Sequence, residues 1–175
     1  MNTSGKILDL QLIFTWMLAD AILDKPNVKS FYAQAQGILK NSPTKMHPLV
    51  AMAQCKIVAT GAPNRLLTLD WLTEWLAGKV SIPFMRIDPL KIDFTKVADV
   101  MSATYATRFN ILPVDLTSTV LTIATADPFT TEWEAEIQKI SRREIKLVLA
   151  NPLEIGQYIS QFFQSCKIDQ RRKQK

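Results

Sequence analysis

Val120-Leu121-Thr122-Ile123-Ala124-Thr125-Ala126-Asp127-Pro128-Phe129 passes from strand to helix start within one short stretch. The apolar and β-branched run from Val120 to Thr125 predicts a strand. Asp127-Pro128 follows with the residues that open a helix. Upstream, Ile111 to Val114 predicts a second strand, joined to the first by the polar turn Asp115 to Thr119. Pro113 has no N–H to give to a ladder, so this strand belongs at an edge or pairs on one side only.

Downstream, Glu132 and Glu134 lie early and Arg142 and Arg143 late in the next segment, the charge order that complements a helix dipole. Trp133, Ile137 and Ile140 form its expected buried stripe. Ile145 to Leu149 predicts a third strand. Asn151-Pro152-Leu153-Glu154 then supplies an N-cap, a proline at the first helical position and a glutamate at the third. Ile155, Ile159, Phe162 and Phe163 are its expected inward face. Before the hairpin, Ile82 to Ile87 predicts a short strand, and Asp93 caps a helix carrying Val97, Met101 and Tyr105. The order β-α-β-β-α-β-α predicts an α+β fold, a small mixed β-sheet with helices packed on one face, over residues 81–166.

Residues 1–80 read as a helical subdomain. Leu8, Leu12, Trp16, Ala19 and Leu23 recur at helical spacing from Ile7 to Leu23, and Pro26 is expected to stop that element. A second helix is expected from Val28 to Leu39, a loop at Asn41-Ser42-Pro43-Thr44, and a third helix after His47-Pro48 through Met52 to Val58. Gly61-Ala62-Pro63-Asn64 is a break, and Thr68 to Gly78 a fourth helix with Gly78 as its terminator.

The 175 residues are 47% hydrophobic and 21% charged, so a packed globular core is expected rather than disorder. The net charge of +5 is concentrated in residues 167–175, where Lys167, Arg171, Arg172, Lys173 and Lys175 face one acid, Asp169. That leaves +1 for the body, which gives it no surface for tracking phosphates; no nucleic-acid partner is expected, and 167–175 reads as a basic tail or linker stub. Cys55 and Cys166 stand far apart with no CxxC, which favours a reducing compartment. The amino terminus lacks signal-peptide features, and Leu10 to Leu23 is too short and too interrupted to span a bilayer. A soluble cytoplasmic chain is expected.

Catalytic chemistry is missing from the pattern. A nucleophile relay would need a histidine, and the single one, His47, sits beside Pro48 where capping or surface duty is expected. Two cysteines and one histidine lack zinc spacing. A triphosphate loop needs glycines followed by Lys-Ser/Thr; Gly5-Lys6 and Gly78-Lys79 run instead into Ile7 and Val80. Asp88 and Asp93 read as turn and capping acids rather than a general acid/base pair. Trp71 and Trp75, with Leu72 and Leu76, are expected in the core, the alternative being an exposed docking face. Catalytic, metal and cofactor residues are therefore expected to be absent, and no partner-binding residue is assigned.

Phe84 to Asp93, Ile111-Leu112-Pro113-Val114, Leu121 to Phe129 and Val148 to Pro152 with Ile155 and Tyr158 resemble the amino-terminal domain of the GspE/PulE-type type II secretion and type IV pilus assembly ATPases. His47-Pro48-Leu49 and Leu69 to Ala77 resemble a variant branch of it more loosely. The resemblance implies a non-catalytic docking and regulatory domain. Its implied partners are the cytoplasmic domain of an inner-membrane platform protein and its own motor domain in a longer parent chain, which would hold it at the bacterial inner membrane. The second reading it implies is a cyclic di-GMP-binding regulatory domain. Family members that bind this nucleotide carry Arg-Leu-Gly in the helical half; here that tripeptide is missing, and Arg65 is the only arginine between residues 7 and 80.

Overall fold

The computed structural model describes residues 6–60 and 65–173, with side chains described as far as Gln164. The expected break at 61–64 lies outside the described residues. The chain divides into two compact units, Met1–Leu76 and Ala77–Lys175.

The first unit is helical. α1 (Leu10–Ala19) is capped by Asp9, whose carboxylate accepts from Leu12 N at 2.8 Å. α2 (Lys25–Asn41) is capped by Asp24, and Pro26 occupies its first turn. Pro26 therefore starts a helix rather than stopping one, because a residue without an N–H loses nothing in the first turn. The core face of α1 also differs from the expected stripe. Leu8 and Leu23, which flank α1, are buried as expected, but within the helix Leu10, Ile13, Phe14 and Met17 are buried, whereas Leu12 and Trp16 are half-buried and Ala19 exposed. Both sets fit a period of 3.6; the buried set carries the fuller apolar face. Phe14 meets Tyr32 of α2 edge-on at 5.6 Å.

α3 (Pro48–Gln54) ends before the expected Val58, which instead forms a single antiparallel bridge with Leu66. α4 (Leu69–Val80) runs past Gly78, and Ser81 takes the left-handed conformation, φ 56°, where the glycine was expected. The division between the units falls inside α4.

The second unit is α+β. Three strands, β1 (Ile111–Leu116), β2 (Val120–Thr125) and β3 (Glu144–Leu149), lie in the order β1-β2-β3. β1–β2 is an antiparallel hairpin and β2–β3 is parallel, joined through α7 (Glu134–Ser141). Pro113 sits on the edge strand beside a register shift before Asp115, as its missing donor requires. The expected first strand shrinks to one parallel bridge, Phe84 to Leu149, with Leu149 N donating to Pro83 O and Met85 N to Leu149 O, both at 2.8 Å. A ladder cannot continue backward from there, because the next donor would be Pro83.

The single helix expected from Asp93 is two, α5 (Phe94–Val97) and α6 (Ala103–Phe109). Ser102 restarts the chain by accepting from Tyr105 N at 3.1 Å, and Asn110 closes α6 in the left-handed region. α8 (Pro152–Lys173) packs on β1 and β2, α5 and α6 on β1, and α7 on β3. The core joins Ile87, Val97, Ile111, Leu121, Ile123, Trp133, Ile137, Val148, Ile155 and Phe162. Val97, Met101 and Tyr105 all contribute to it, across the helix break. α8 continues through the residues expected to be a tail as far as Lys173.

Trp133 and Ile137 are buried as expected, but Ile140 is 60% exposed. A seven-residue step brings Ile140 back to nearly the direction of Trp133, so its exposure comes from its place at the end of an eight-residue helix that buries only its first turns. Trp133 is anchored by its indole N–H donating to Thr130 O at 2.8 Å, within a turn where Asp127 accepts from Phe129 N and the Thr130 hydroxyl. Trp133→Ala should cost roughly 3–5 kcal/mol in urea unfolding, whereas Ile140→Ala should stay within about 0.5 kcal/mol of the parent.

Candidate functional site

The residues with chemistry in them are mostly engaged in local structure. His47 is the N-cap of α3, its Nδ1 accepting from Leu49 N at 3.2 Å. Asp88 Oδ1 accepts from Leu90 N, forming an Asx turn, and its other oxygen lies 3.7 Å from Lys91 Nζ. Asp93 accepts from the Thr95 hydroxyl at 2.6 Å and pairs with Lys96 at 3.0 Å; the hydroxyl first and the lysine second hold its carboxyl below the usual range. Gly78-Lys79 is interior helix, with no loop to wrap a phosphate, and Lys6 is the only described residue of Gly5-Lys6. Cys55 is half-buried, its thiol donating to Ala51 O, and burial pushes it up, away from the thiolate a nucleophile needs. Among the described residues no group of three His, Cys, Asp or Glu could hold a metal.

Trp71 and Trp75 are not the core pair expected. Both are half-buried and stacked nearly parallel, 6.4 Å apart, and the Trp75 indole N–H donates to Asp20 Oδ2 at 2.9 Å. An indole carries a polar N–H, so the half-buried setting lets both rings shield apolar neighbours while the Trp75 nitrogen reaches an oxygen.

Sequence reasoning passed over an open groove in the helical unit. Gln34, Ile38 and Asn41 of α2 form one wall, Gln54 and Cys55 at the end of α3 the other, and Met46 lies between them. Its volume is about 700 Å³ and no charged side chain lines it. Gly37 also lines it, and a side chain there would meet nothing within 4 Å. The one legible signal was that glycine, placed mid-helix where it costs about 1 kcal/mol against alanine. Lys40, Lys45 and Lys56 neighbour the lining residues in sequence, are exposed, and make no ion pair among the described residues.

A helical unit followed by a three-stranded mixed sheet is a fold shared with two solved structures. The structure of MshE with cdg (cyclic di-GMP) aligns with a TM-score of 0.56 at 16% identity, over 86% of this chain and 97% of that one. The amino-terminal domain of XpsE aligns at 0.52 and 14% identity, over 89% and 96%. The MshEN domain model matches residues 80–167, about half of the chain, and the chain belongs to that family. It is 32% identical over 121 residues to the type IV pilus assembly ATPase TfpB of Acinetobacter baylyi, covering 69% of this chain and 21% of TfpB. The chain thus spans about a fifth of that relative's length. No helix among the described residues is long and apolar enough to cross a membrane.

One carboxylate stands out electrostatically. Glu134, in the first turn of α7, has a buried oxygen without a hydrogen-bond partner, and burial raises its pKa. A raised folded-state pKa means the native state holds the proton longer, so the ionised group lowers stability as pH rises through the acid's usual range. Glu134→Gln should therefore unfold at higher urea than the parent at pH 7, and the difference should close by about pH 4.

Proposed function

We propose that this chain is a non-catalytic docking and regulatory domain of a type II secretion or type IV pilus ATPase, linking a motor to the cytoplasmic part of an inner-membrane platform protein. Membership of the MshEN family carries this reading. The similarity to TfpB and the shared fold with the XpsE domain support the system to which it is assigned. The polar groups support the non-catalytic part: His47 serves as a cap, Asp88 forms a turn and Asp93 is held by Thr95 and Lys96, and a reaction needs convergent groups that are not so committed. On this reading the protein acts in the cytoplasm, peripheral to the inner membrane through its partner, and 167–175 leads toward the motor.

A cyclic di-GMP-binding domain is the second reading, and the MshE structure with that nucleotide favours it. Against it stands the helical half's single arginine, Arg65, where the ligand's phosphates call for cationic forks. The test is a pull-down and calorimetric titration of the folded chain with the cognate platform protein's cytoplasmic domain, run to about 100 μM. Binding is the expected result, with a flat cyclic di-GMP titration and no ATP turnover. Absence of protein binding alongside nucleotide heat would replace the first reading by the second.

A further inference from the structure

We infer that the groove between α2 and α3 is the docking site itself, and that its occupant is an acidic amphipathic helix of the partner protein. The inference rests on the docking reading above and names the surface that performs it.

Four features of the groove select this occupant. The lining is uncharged, with Ile38, Met46 and Cys55 as its apolar part and the amides of Gln34, Asn41 and Gln54 beside them. A strongly charged segment would be desolvated there without a partner, so the inserted face must be apolar with scattered polar groups. Lys40, Lys45 and Lys56, each next in sequence to a lining residue, carry three positive charges without ion pairs, and the lining residues include no acid. The partner's flanks are therefore acidic, which steers encounter and fixes orientation. The part of α2 that lines the groove runs from Gln34 to Asn41, a wall of about 12 Å, the length of a two-turn helical segment. Gly37 leaves the middle of that wall bare, so a second helix can approach backbone to backbone. An apolar stripe laid into a groove with charged flanks is a recurrent mode of helix recognition.

The test uses the full 175-residue chain and the cognate platform protein's cytoplasmic domain as probe, with cyclic di-GMP as a second probe. Gly37→Leu fills the groove where a side chain meets only open space, so the fold should be retained, checked by circular dichroism and the urea midpoint. It should weaken platform binding by about tenfold or more. Lys40→Gln/Lys45→Gln leaves the groove open and should slow association and flatten its salt dependence. Unchanged binding by both variants would overturn the groove assignment while leaving the docking reading intact. Failure of the parent chain to bind would remove the docking reading and this inference together. Cyclic di-GMP binding that Gly37→Leu abolishes, with protein binding untouched, would make the groove a nucleotide pocket and overturn the helix.

Discussion

The second unit hangs on β2. It is the strand of the β1-β2-β3 sheet paired along its length on both sides, antiparallel to β1 and parallel to β3. Parallel pairing demands a crossover, and the crossover is α7, so the turn at Asp127 and the anchor at Trp133 follow from that demand. Ala150 N donates to Thr125 O, which carries the parallel register past the end of β3 and sets where α8 begins. The Leu121, Ile123 and Ala124 side chains are wholly buried, and α8 lies across β1 and β2. Displacing β2 by one residue would move Leu121 and Ile123 off the face they share and put Thr122 and Ala124 there instead, which would cost the second unit its centre.

A sheet this small leaves little polar chemistry to spare. Every helix, long or short, begins with orphan N–H groups that need an acceptor. Asp9, Asp24, His47 and Ser102 fill that need at α1, α2, α3 and α6. These four side chains are thereby committed to helix starts.

The strands of the sheet and the caps of α6 and α8 carry local signals, whereas the strand expected at Ile82–Ile87 is one bridge and Asp93 makes no cap bond. Val120 to Thr125 emerged with the bounds the sequence suggests, and Asn151 does accept from Leu153 N ahead of α8. Features set by tertiary context were not legible. Which face of α1 turns inward depends on what covers it, and two overlapping apolar stripes satisfy one period. Pro26 and Gly78 are punctuation whose sense depends on neighbours: Asp24 makes the proline a beginning, and Ser81 relieves the glycine of ending α4. Ile140 fits the stripe by spacing, yet α7 is only eight residues long and buries a single turn of it. The groove escaped notice because Gln34, Asn41 and Gln54 are unremarkable singly and meet only when α2 and α3 pack.

Native-state hydrogen exchange read residue by residue tests the dependence on β2 most directly. Amides from Leu121 to Thr125 should be the slowest in the second unit and should exchange only through its global unfolding, while those of α5, a single turn, exchange by local opening. If the β2 amides exchange as fast as those of Phe94–Val97, the sheet is not organised around its central strand and the account of the fold is wrong.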